Sequence, residues 1–167
     1  WGSRLPKPQP MPLADPLEFP GAHWIWHPDD LDEPDEEPPA CTRYFRGVLS
    51  LPEDVAIAKA EVIVTADNEW MAYLNGRGFG ESGSGGGAWK QPRKYDVTSL
   101  VGPGPNVLAV AARNILPGPA GVVAKLRVKG NGGRTWLLQT DSKWRTTAES
   151  GGEWYEADCD DSDWPAA

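Results

Sequence analysis

The stretch Thr65–Gly76, TADNEWMAYLNG, decides the fold. Glu69 to Asn75 reads as a half-buried strand, and Asn75-Gly76 follows it as a reverse turn into Arg77-Gly78-Phe79. Asn-Gly between β-rich runs is among the strongest hairpin signals, because both turn positions need positive φ. Strands continue outward in both directions. Thr42–Leu51 and Ala58–Ala66 precede the hairpin; Lys94–Val97, Asn106–Arg113, Gly121–Lys129 and Thr135–Thr140 follow it. In Gly121–Lys129, Val122, Ala124, Leu126 and Val128 alternate with Val123, Lys125, Arg127 and Lys129, so one face points in and the other largely out. Gly102-Pro103-Gly104-Pro105 and Asn131-Gly132-Gly133 are turns, and only a turn of helix is expected, at Asp96–Leu100. The implied fold is all-β: an antiparallel β-sandwich of about eight strands, of jelly-roll type.

Composition agrees. With 167 residues, nine Trp, 19 Gly and 17 Pro, the chain suits one domain of many short elements joined by many turns. No segment approaches the ~18 consecutive apolar residues of a membrane span, so no membrane insertion is expected. The net charge of −8 is concentrated at the start, where residues 1–40 hold nine acidic and two basic residues. The rest is nearly neutral, which excludes the concentrated basic surface that nucleic acid requires.

Residues 1–22 carry prolines at 6, 8, 10, 12, 16 and 20 and read as an extended linker or docking segment. The globular part then runs from 23 to 167. Within it, residues 29–37, DDLDEPDEE, read as a solvated acidic loop. His23 and His27 read as surface or edge residues, since a strand would hold them ~13 Å apart. Cys41 and Cys159 either form a disulfide joining the first long strand to the C-terminal segment or are two unrelated thiols. The bridge is the favoured expectation. It would contribute about 4–5 kcal/mol by the chain-entropy argument and imply an extracellular or cell-surface setting.

Chemistry-bearing residues are sparse. Asp67 and Glu69, two apart, would point in parallel from one strand rather than face each other across a sugar, so no catalytic residue is assigned. The glycine-rich Gly80–Gly87 lacks the ending of a phosphate loop. Sugar binding needs a flat apolar platform with planar polar groups around it. Trp89 beside Arg93, with Asp67, Asn68, Arg113 and Asn114 on neighbouring loops, supplies both. Trp89 can equally cover the sandwich edge. Trp24, Trp26, Trp136, Trp144 and Trp164 read as packing residues. Asp158, Asp160, Asp161 and Asp163 invite a structural calcium, the only cofactor the composition suggests.

Five motifs in order carry a resemblance: TADNEWMAYLNG, KYDVTSLVGPGPNVLAVAARN, GPAGVVAKLRV, TDSKWR and DDSDWPAA. From about His23 to Ala167 the chain resembles a galactose-binding-like jelly roll. It is similar to accessory domains of bacterial α-L-rhamnosidases and family 2 glycoside hydrolases. The resemblance implies that the tail packs Trp164 and solvates its carboxylates. Cys159 departs from the bulky apolar residue usual there, and the Gly80–Gly87 loop is longer than expected. Three functions follow as expectations. The first is a non-catalytic carbohydrate-binding module of a secreted or cell-surface protein. The second is a structural module whose leader docks on a neighbouring protein subunit. The third is an accessory domain of a glycoside hydrolase.

Overall fold

Nine strands build two antiparallel sheets in the computed structural model, which describes residues 17–32, 35–85 and 87–167. They are β1 (Cys41–Leu51), β2 (Ile57–Asp67), β3 (Glu69–Leu74), β4 (Arg77–Glu81), β5 (Arg93–Asp96), β6 (Gly104–Asn114), β7 (Gly121–Gly130), β8 (Thr135–Gln139) and β9 (Arg145–Thr147). One sheet runs β4-β3-β6-β1-β9 and the other β5-β2-β7-β8. The β-sandwich expectation holds, with β9 as the strand the sequence reading lacked. The β3–β4 hairpin turns at Asn75 (φ 51°) and Gly76 (φ 79°), the positive pair that Asn-Gly accommodates. Asn106, fully buried, locks the neighbouring corner. Its amide donates to Leu49, Gly102 and Gly104 carbonyls, and its oxygen accepts from Gly102 N and Asn75 Nδ2.

Between the sheets lies the main core, including Phe45, Val62, Val64, Trp70, Leu108, Leu126 and Trp144. A second, smaller core lies on the outer face of the five-stranded sheet. There Ala109 and Ala111 of β6, with Tyr44 and Tyr73, meet Trp154, Tyr155 and Trp164 of the C-terminal segment. Tyr73 and Tyr155 stack at 4.4 Å, and Trp154 meets Tyr44 at 4.8 Å. Arg46, only 2% exposed, fastens this segment. It donates to the Trp154 and Glu156 carbonyls at 2.7 Å, to the Cys159 carbonyl at 3.2 Å and to Asp161 Oδ2 at 2.8 Å.

The expected disulfide is not formed in this structure, where Cys41 and Cys159 are both free. Cys41 shares the inward face of β1 with Phe45 and packs against the main core, whereas the Cys159 carbonyl is held by Arg46 on the outward face. Without the bridge, the argument for an oxidising compartment loses its premise.

Three smaller expectations change. The acidic loop is not wholly solvated: Asp30 accepts from Trp26 Nε1 at 3.0 Å and from both Arg43 Nε and Nη2 at 2.8 Å. His27 is buried, and its Nδ1 accepts from Asp29 N. The outer face of β7 is covered, with Val123 and Lys125 buried, and Lys125 Nζ donates to the Pro20 carbonyl at 2.5 Å. Residues 17–27 thus lie against the chain's own sheet: Ile25 bridges Val122, and His23 N donates to the Thr140 carbonyl. The polyproline reading of residues 1–16 lies outside the described residues.

Candidate functional site: a pocket at the strand ends

At one end of the sandwich, β2 stops at Asp67, β3 starts at Glu69, β6 stops at Asn114 and β7 starts at Gly121. The register pairs Asp67 with Gly121 and Glu69 with Arg113, so the strand ends converge. Asn68 fills the link between β2 and β3 and puts its backbone N–H and both side-chain polar atoms to use. Its backbone N donates to the Arg113 carbonyl, its Oδ1 accepts from Ile115 N at 2.9 Å, and its Nδ2 donates to Asp67 Oδ1. The Asp67–Asn68 peptide is cis. Asn114 is buried and spends its Nδ2 on the Pro38, Pro39 and Gly118 carbonyls, which folds the 115–119 loop back over the site.

Trp89 approaches from the other side. It sits on a single 3-10 turn, Ala88–Lys90, whose Ala88 carbonyl accepts from Thr65 Oγ1 at 2.7 Å. Its ring is 45% exposed, with Lys90 Nζ 4.9 Å from the centroid. Asp67, Asn68, Trp89, Asn114 and residues 115–119 line one pocket of about 330 Å³. That volume is at the small end of ligand pockets (roughly 300–1,000 Å³) and suits one small ring. Burial pushes the Asp67 carboxyl above its usual range, and among the described residues no lysine or arginine forms an ion pair with it. The pocket therefore offers the Asp67 carboxylate, whose Oδ1 is held by Asn68, and an aromatic face, while the two carboxamides are spent on shaping it.

Four of the six proposed ligand residues, Asp67, Asn68, Trp89 and Asn114, meet in this pocket. The other two do not. Arg93 donates to the Glu81 and Ser82 carbonyls at 2.7 and 3.1 Å and so props the base of the glycine-rich loop. Arg113 is exposed, 3.7 Å from Glu69, and lines a separate hollow of about 300 Å³ with Glu69, Trp70, Glu81, Gly83 and Ser84. Asp67 and Glu69 thus open into different hollows. The apolar lip, Ile115–Pro119, was missed by sequence reasoning. Its signal was the run Asn114-Ile115-Leu116-Pro117-Gly118-Pro119, two apolar residues on a proline-pinned loop that no core requires.

The tail carboxylates disperse. Asp161 serves Arg46, and Asp160 Oδ1 accepts from Ser162 N at 3.0 Å, a contact that with the Ser162 hydroxyl holds its pKa below the usual carboxylate range. Among the described residues no group of three or more His, Cys, Asp or Glu gathers to hold a metal.

No family model matches the chain. An α-L-rhamnosidase of Streptomyces avermitilis is 35% identical over 161 residues, which is 95% of this chain and 15% of that protein. Its crystal structure complexed with L-rhamnose superposes with a TM-score of 0.82 at 34% identity, over 94% of this chain and 15% of the other. A lectin of Pleurotus ostreatus in its apo form gives a TM-score of 0.78 at 26% identity, over 90% and 41% of the two chains. The same lectin in complex with GalNAc gives 0.74 at 25% identity. The chain spans only a small part of the rhamnosidase and less than half of the lectin chain. It is strongly similar, in sequence and in structure, to one segment of an α-L-rhamnosidase and to a lectin of galactose-binding-like fold.

Proposed function

We propose that this chain is a carbohydrate-binding domain, non-catalytic, and accessory to a glycoside hydrolase. The observation that carries the proposal is the single pocket in which Asp67, Asn68 and Asn114 face the exposed ring of Trp89. A pyranose presents an apolar face and a belt of hydroxyls. An aromatic ring beside the Asp67 carboxylate, which Asn68 holds in place, answers both features. The similarity to a rhamnosidase segment and to a lectin supports the reading. The second expectation, a leader docking on a neighbour, gains no support from Leu17–His27, which lies on its own sheet. Calcium stays in the proposal only as a structural ion, for which carboxylate and carbonyl oxygens are the suitable donors.

A glycan array that includes L-rhamnose and GalNAc, read with calcium and with EDTA, tests the proposal. Wild-type binding that Trp89→Ala abolishes and Leu137→Ala preserves is the expected result. A blank array from folded protein contradicts it. Loss of binding in EDTA alone makes the binding calcium-dependent; unchanged binding removes calcium from the account.

A further inference from the structure

Trp24 is not a packing residue. The residue is 54% exposed, and the Cε3 edge of its indole rests against Gly121. A Cβ on Gly121 would stand 2.8 Å from the Trp24 ring, so the glycine is what lets the ring settle there. The backbone beneath is firm, because Ile25 and Val122 exchange both hydrogen bonds at 3.0 Å. A large, exposed aromatic ring is thereby held in a fixed pose.

Its location is what matters. Gly121 is the cross-strand partner of Asp67 and lies two residues beyond Pro119, which lines the pocket. Paired residues point to the same side of a sheet, and so do residues two apart on one strand. Gly121, Asp67 and Thr65 therefore share the outer face of the four-stranded sheet. Thr65 is the residue that holds the Trp89 turn. Trp24 and Trp89 thus stand on the same face, on either side of Asp67. Of the six exposed large hydrophobic residues among the described residues, Trp24, Trp89 and Leu116 (70% exposed) crowd this one end.

We infer that Trp24 is the platform for a second sugar ring, so that the site takes an oligosaccharide rather than a single residue. The inference rests on the sugar reading of the pocket. One ring occupies the pocket against Trp89, and the adjoining ring of the glycan stacks its apolar face on Trp24. Hydroxyls of that ring remain in water, which makes Trp24 a gain in affinity for length rather than for sugar identity.

Calorimetric titration compares L-rhamnose and GalNAc with disaccharides carrying each at the non-reducing end. The wild type is expected to bind its preferred disaccharide roughly five- to tenfold tighter than the monosaccharide, the scale of one aromatic contact. Trp24→Ala erases that gain and leaves monosaccharide affinity unchanged, Trp24→Phe restores part of it, and Trp89→Ala weakens both ligands. Equal loss for both ligands in Trp24→Ala overturns the inference, as does no loss for either. Monosaccharide binding without a disaccharide gain also overturns it while leaving the pocket reading intact. No binding of any saccharide by the wild type overturns both.

Discussion

At the scale of single residues, Asp67 separates binding from stability. Burial raises its pKa in the folded state, so the protonated form favours folding. That contribution is complete below the ordinary carboxylate pKa and is lost as pH rises through the raised folded value. Once ionised, the group is therefore a cost to the fold, and in the proposed site it is kept for its acceptor oxygens. Asp67→Asn preserves an acceptor for Asn68 Nδ2 and removes the charge. Thermal melts at pH 7 should show a Tm equal to or above the wild type, while sugar binding falls at least tenfold; a lower Tm with intact binding would reverse the assignment. The thiols make a second residue-scale prediction. Mass should not change with reductant. Cys41, packed against the core with its pKa raised chiefly by burial, should label with a thiol reagent only on unfolding. A loss of two protons' mass in the untreated protein would restore the bridge.

Among elements, the C-terminal segment depends on Arg46 more than on its own sequence. Four acceptors converge on one buried guanidinium, and among the described residues removing it leaves only the Glu156 carbonyl with another protein donor, the Cys159 N–H. Arg46→Ala should cost about 3–5 kcal/mol in urea unfolding, as for a broken buried ion pair. Arg46→Lys should recover only part of this, because an ammonium lacks the planar fork. A cost below ~1 kcal/mol would mean that the segment is held by Trp154 and Tyr155 alone. This is also where the sequence was least legible. Strand alternation and Asn75-Gly76 announce β3 and β4 because those signals are local. Arg46 looks like any charged residue in TRYFRGVLSL, since its partners lie more than a hundred residues away. Lys125 misleads for the same reason: its strand alternates as a half-exposed one does, but residues 17–27 cover that face.

For the whole molecule, the proposed sugar site gathers at one end of the sandwich. The residues Asp67, Asn68, Trp89 and Asn114 were legible because aromatic and carboxamide groups at strand ends have few reasons to be there. Arg93 and Arg113 were misplaced because their partners, two carbonyls and a cross-strand glutamate, are set by register rather than by nearness in sequence. Trp24 was read as packing because an aromatic residue in a strand-like segment usually packs. Only the bare Cα of Gly121 beneath it makes an exposed platform. The central claim is that the pocket at the strand ends is the sugar site. Titration of the 15N-labelled domain with its best array ligand, followed by amide and indole N–H chemical shifts, tests it most directly. The account predicts shifts concentrated at the Trp89 indole, the Asn68 and Asn114 carboxamides and the 115–120 backbone, with the Trp154 and Trp164 indoles unmoved. Shifts centred on the C-terminal segment, or absent from the pocket at saturation, would contradict it.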